Sequence, residues 1–134
     1  MRPIRVFLDS DVIISSLLSS TGAARFLVNK NSLIKFISNF SVKEIHIVAK
    51  RLNIKTAAVD QLIRCLKIVH LKQDFGKNYV TDRHDSHIVS GVVTAKTKFL
   101  LTYNLKHFKI DRIKRDYGIL VYRPAQFLQY LRSL

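Results

Sequence analysis

Acidic residues are scarce in this chain of 134 residues: nine Asp plus Glu stand against 23 Lys plus Arg. Cysteine is scarcer still. Cys65 is the only one, which excludes an internal disulfide and fits a reducing cytoplasm. One thiol cannot build a structural zinc site without several histidines, and the five histidines (46, 70, 84, 87 and 107) show no paired metal spacing. Four glycines and two prolines leave no linker, low-complexity stretch or internal repeat. No apolar run approaches the roughly 20 residues of a membrane span. The chain enters a strand pattern at Ile4-Arg5-Val6-Phe7-Leu8, so no signal peptide is expected. Tryptophan is absent, and no strongly amphipathic basic helix with an aromatic face supports a membrane surface. A cytoplasmic protein without a membrane partner is the expectation.

What is present is a formal charge of +14, a pI near 10.3 and 48% hydrophobic residues. The composition is globular, and the length suits one domain, 1–134, with a sizeable core. A positive field of this size draws nucleic acid or an acidic partner without reading its sequence. Basic runs lie at Lys50-Arg51, Lys96-Thr97-Lys98, Lys106 to Lys109 and Arg112 to Arg115. A solvated helix face accounts equally for many of them.

The apolar pattern alternates strands with helices. Strands are expected at Ile4–Leu8, Leu33–Ile37, Lys67–Leu71, Lys98–Thr102 and Ile119–Tyr122. Helices are expected over about Val12–Leu18, Ala23–Val28, Ser41–Leu52, Thr56–Leu66 and Asp85–Ala95. A last helix opens on Pro124, which suits a first turn, and a short turn surrounds Leu105–Phe108. Such alternation implies a mostly parallel sheet of five strands flanked by helices, an α/β/α sandwich.

The few acids fall where strands hand over to helices. Asp9 ends the first strand in Val6-Phe7-Leu8-Asp9-Ser10-Asp11, at the sheet edge where α/β folds place their chemistry. A helix N-cap is its structural rival, a task that Ser10 or Asp11 could take instead. Glu44 has a capping-box rival in Ser41-Val42-Lys43-Glu44. A helical wheel, however, sets it in an apolar arc between Ile47 and Val48, where a buried acid needs a partner. Asp82 and Asp85 precede the helix that begins Ser86-His87-Ile88-Val89; Asp85 is better placed at its mouth, with Asp82 a supporting acid. Clustered carboxylates repel one another and need a cation to stay ionised together. Oxygen ligands point to Mg²⁺ or Mn²⁺, and the reaction such ions serve on a polyanion is phosphodiester hydrolysis.

The whole chain, in order and length, resembles the PIN domain family, which includes the VapC-like toxins. The residues that carry the likeness are Phe7-Leu8-Asp9-Ser10-Asp11-Val12-Ile13-Ile14, then Ser38 followed by Glu44. Asp85-Ser86-His87-Ile88-Val89 with Leu100-Leu101-Thr102-Tyr103-Asn104-Leu105-Lys106-His107-Phe108 completes it. The resemblance implies Mg²⁺- or Mn²⁺-dependent cleavage of RNA, with Asp9, Glu44 and Asp85 as metal-binding and catalytic acids. It puts Thr102 beside the site and implies an antitoxin and a homodimer as partners. Many members carry a further Asp where this chain has Asn104, so a reduced or metal-hungry activity is expected. Asp11 stands where Asn is frequent and would return one charge.

Two rivals stand beside this reading. Asp9-Ser10-Asp11 after an apolar strand is also similar to the first motif of haloacid-dehalogenase-like phosphatases, in which Asp9 would be a nucleophile. Against it, the chain is short for that fold and Glu44 would have no task. The other rival is a non-catalytic RNA- or antitoxin-binding module. Tyr103 and Phe108 could stack on bases or belong to the core. His84 and His87 could serve as acid or phosphate contact, or merely cap. Cys65 reads as a packed thiol at a helix end.

Overall fold

Apolar runs bounded by polar residues become the five strands of one sheet: β1 (Ile4–Leu8), β2 (Leu33–Ser38), β3 (Lys67–Val69), β4 (Phe99–Leu101) and β5 (Leu120–Tyr122). The computed structural model describes residues 3–134, so Met1 and Arg2 of the expected domain lie outside the described residues. Strand order is β3-β2-β1-β4-β5, and every pair is parallel. The helices are α1 (Ser10–Leu18), α2 (Ala23–Val28), α3 (Asn39–Arg51), α4 (Thr56–Ile63), α5 (Ser86–Thr94), α6 (Ile110–Tyr117) and α7 (Pro124–Arg132).

The period-2 geometry of a strand sends neighbouring side chains to opposite faces. In β1, Val6 and Leu8 join one core with Val12 and Ile13 of α1, Leu27 of α2, Ile45 of α3, Val59 of α4 and Phe127 of α7. Phe7 between them joins the other core, with Leu100, with Ile88, Val89 and Val92 of α5, and with Ile113 of α6. Strands buried on both faces read as continuous apolar runs, which is why the sandwich is legible in the sequence.

Two expectations are corrected, and one buried charge is added. Residues 110–117 form a helix, α6, that the charge run Arg112 to Arg115 concealed. Only Ile113 of it is buried; Gly118, in the left-handed region at φ 68°, ends it as glycine readily does. α4 stops at Ile63, so Cys65 falls in the following turn and is exposed rather than packed. Lys35, on an inward position of β2, is buried with its Nζ donating to the carbonyls of Val28 at 2.7 Å and Lys30 at 3.1 Å. Its ammonium thus closes the C-terminal end of α2, where cations are favoured.

Helix α5 approaches the sheet closely because Gly91 has no side chain. A Cβ there would overlap the Cζ and Cε2 atoms of the Phe7 ring, which is itself fully buried. Overpacking of this kind costs about 1–3 kcal/mol. Gly91→Ala should therefore lower the unfolding free energy by that amount and shift the urea midpoint down, and an unchanged midpoint in chemical denaturation would refute this packing account.

Candidate active site

The strand order reverses direction between β1 and β4. From β1 the chain steps outward to β2 and β3, then returns to lay β4 on the other flank. Ligands of open α/β sheets bind outside the carboxyl ends of the strands at such a switch point. Here those ends are Asp9, after β1, and Thr102, after β4, joined where the Asp9 N–H donates to the Leu101 carbonyl at 3.0 Å.

Asp9 is 5% exposed and combines the two roles that its sequence position offered. It is the N-cap of α1, with Oδ1 accepting the Ser10 N–H at 2.8 Å. Its Oδ2 accepts the hydroxyl of the fully buried Thr102 at 2.9 Å. Thr102 is fixed in turn by the Asn104 N–H, which donates to its oxygen at 3.0 Å. Asp11, one residue into α1, points back to the same place. Its Oδ2 accepts the Tyr103 N–H at 2.9 Å, and its Oδ1 is buried without a hydrogen-bond partner.

Glu44 reaches the site from α3. Ser38 is the N-cap there, its hydroxyl accepting the Ser41 N–H at 3.1 Å, so the helix begins before Ser41 and the capping box does not form. The expected buried arc is corrected as well: Ser41, Ile45 and Ala49 are the buried face, whereas Glu44 and Ile47 are exposed. Helix α3 carries more apolar positions than the sheet covers. Asp85 stands at the mouth of α5 and makes no side-chain capping hydrogen bond to it, so its carboxylate is not held by the helix amides. Oδ2 of Asp85 lies 3.0 Å from Nδ1 of His107. Asp82 caps its own short turn, accepting the His84 N–H at 3.0 Å, and is exposed.

Asp9, Asp11, Glu44, Asp85, Asn104 and His107 all line one cleft of about 510 Å³, closed on one side by Ile14, Leu18 and Val48. Asp82 and Thr102 are not among its lining residues; Thr102 acts on the cleft through Asp9. Like charges repel, and the acids line the cleft without converging on one point. Among the described residues, no three His, Cys, Asp or Glu side chains are grouped closely enough to hold a metal ion.

The electrostatics nevertheless fit a cation. Burial, then the charge of Asp11, pushes the Asp9 carboxyl from 3.8 up to about 7, with Asp85 adding to the shift and the Thr102 hydroxyl opposing it. Burial also raises Asp11 and Asp85, the latter partly offset by His107. Such acids give up their protons readily only when positive charge arrives. The orphaned Asp11 Oδ1 is an oxygen donor awaiting a partner, and an all-oxygen carboxylate set suits a hard divalent ion.

Other residues singled out in the sequence divide between site and core. His87 packs against Phe40, with ring centroids 5.7 Å apart, and its Nδ1 is buried without a partner. Burial lowers its pKa. Tyr103 is exposed beside the cleft, whereas Phe108 belongs to the core. His107 was not foreseen as a site residue. Its contact with Asp85 spans 22 positions, which no local spacing reveals. Asp74 was also passed over; it binds the Ser86 hydroxyl, the Ser90 hydroxyl at 3.1 Å and the Gly76 N–H at 3.1 Å, pinning the preceding loop onto α5.

A parallel α/β sheet with carboxylates at its switch point places a ligand site at that edge, and comparison with known proteins narrows what it serves. The PIN domain model matches residues 5–106. The chain belongs to the PIN domain family. Members of this family are generally nucleases and generally use divalent metal ions, so a nuclease kind of activity is assigned at the level of the family. Membership displaces the phosphatase alternative. Among solved structures, a chain of the VapBC2 crystal structure from Rickettsia felis, bound to a DNA fragment from its promoter, is similar with a TM-score of 0.59. The match covers 88% of this chain and 97% of that one at 15% identity, a likeness of fold. No curated protein matches the chain. Among the described residues, no helix is long and apolar enough to cross a membrane.

Proposed function

We propose that this protein is a Mg²⁺- or Mn²⁺-dependent endoribonuclease. The observation that carries the reading is that Asp9, Asp11, Glu44 and Asp85 line one cleft of a PIN domain. Asp9, Glu44 and Asp85 hold the ion, with Asp11 supplying the charge that Asn104 lacks. When bound, the ion offsets phosphate charge and makes water acidic enough to act as a nucleophile. Thr102 and the Ser10 amide fix the Asp9 carboxylate, so that its oxygens present one geometry. The exposed Lys43, Arg83 and Lys106 adjoin the site acids and their neighbours in the chain, and draw the phosphate backbone over the cleft.

The formal charge of +14 supports RNA as the polyanion. The likeness of fold to a VapBC2 chain supports an antitoxin as a further partner, with this chain the toxin of a type II pair; a homodimer as its working form rests on the family resemblance. Labelled RNA should be cleaved in Mg²⁺ or Mn²⁺ and left intact in EDTA, and the product of the neighbouring gene should block cleavage. RNA that is bound but never cut in either metal would favour the non-catalytic module instead.

A further inference from the structure

Beyond its acids, the cleft continues into a strip of exposed positive charge that two distant segments build together. The segments around Val80 and Phe108 pair in an antiparallel bridge, with both of those side chains buried. The Lys109 N–H donates to the Tyr79 carbonyl at 2.8 Å, and the Thr81 N–H to the His107 carbonyl at 2.9 Å. With the bridging pair turned inward, the basic residues on either side face solvent: Lys77, Arg83, Lys106, Lys109 and Arg112 are all exposed. One end of the strip is the cleft, which Asp85 and His107 line. The other is α6, where Nη1 of Arg112 donates to the Asn78 carbonyl at 3.0 Å. Of the acids near the strip, Asp82 caps its own turn. Asp116 accepts the Tyr79 hydroxyl at 2.8 Å and Nε of Arg115 at 3.1 Å, so positive charge prevails. At the same end Tyr117 leans on Tyr79, with ring centroids 5.2 Å apart, and is itself 38% exposed.

We propose that this strip carries the RNA strand away from the cleft, its phosphates on Lys77, Lys109 and Arg112 and a base on the ring of Tyr117. This rests on the RNA reading above and adds the path that the substrate follows beyond the scissile phosphate. Backbone hydrogen bonds hold the two segments together, so the cations keep one order along the path. An acidic protein would be drawn to the same charge. Continuity with a cleft that receives phosphate, and an aromatic face beside the cations, match a single strand better, since it presents phosphates and unpaired bases together.

Binding of a labelled single-stranded oligoribonucleotide in EDTA tests this surface apart from metal and cleavage. Each single-strand phosphate contact contributes about 0.7 to the slope of log affinity against log salt. Lys77→Gln/Lys109→Gln/Arg112→Gln should therefore flatten that slope by about 2 and weaken binding about tenfold or more near 0.1 M salt. Lys77→Gln/Lys109→Gln, which spares the Arg112 hydrogen bond, should flatten it by about 1.4. Tyr117→Ala should weaken binding about fivefold with the slope unchanged, because stacking carries no charge. Lys50→Gln/Arg51→Gln/Lys55→Gln removes as much charge at the end of α3 remote from Glu44, and should change affinity less than about twofold, since salt screens distant charges. Equal losses in the two triple variants, or wild-type affinity in Tyr117→Ala, would overturn the proposal. Undiminished RNA affinity in the first triple variant, beside weakened binding of polyglutamate, would assign the strip to an acidic protein instead. If the wild type binds no RNA, the RNA reading itself fails and this proposal with it.

Discussion

Asp9→Asn should lower metal-dependent RNA cleavage by about 10³-fold while leaving the fold intact. The magnitude follows from removing one charged group that stabilises the reacting phosphate in a partly dry site. The substitution keeps the shape of the side chain. Its oxygen can still accept the Ser10 N–H, and its amide can donate to the Thr102 oxygen in place of accepting from it. RNA binding should change little, because that affinity comes from Lys and Arg around the cleft and not from Asp9. Measuring cleavage and binding on the same variant separates the two contributions. Undiminished cleavage would remove Asp9 from the catalytic set, and equal loss of binding and cleavage would point to misfolding.

How far the site could be read beforehand varied with the range of the signal. β1 and its terminal acid were legible because a strand buried on both faces must be apolar throughout, and an acid at its end stands out in a chain poor in acids. Pro124 marked α7 because its fixed φ suits a first turn. Helix α6 was illegible for the opposite reason. It buries Ile113 alone and spends its other positions on charge, so its pattern looked like a basic run. Glu44 was located correctly on its helix but on the wrong flank, since a helical wheel ranks apolar arcs without knowing where the sheet stops. His107 lay beyond reach altogether. Its partner Asp85 is brought to it only when β4 returns beside β1, a consequence of topology and not of local spacing.

The same burial that makes Asp9 a poor acid predicts an inverted pH profile for the metal-free protein. Its carboxyl titrates near 7 in the folded chain against 3.8 as the ordinary value. Between those limits the folded state holds a proton that the unfolded state has released. Asp9 therefore stabilises the fold fully below about pH 4 and loses that contribution as pH rises through 7. At about 1.4 kcal/mol per unit, the loss reaches up to about 4 kcal/mol. His87 works in the opposite direction, because burial lowers its pKa and protonation of the unfolded chain below 6.5 favours unfolding. The difference between wild type and Asp9→Asn isolates the carboxylate from that background. In EDTA, Asp9→Asn should gain stability over wild type from pH 5 to pH 8, appearing as a melting temperature higher by several degrees at pH 8. Mn²⁺ at about a hundredfold above its Kd should narrow the difference at pH 8, since it adds about 2.7 kcal/mol to the wild type alone. At about a thousandfold, where it adds about 4 kcal/mol, it should close the difference. At pH 5 the ion must displace a proton to bind, and its effect should shrink. A stability difference in EDTA that stays flat across this range would show that Asp9 is already ionised in the metal-free fold. The electrostatic case for a cation in this cleft would then be lost.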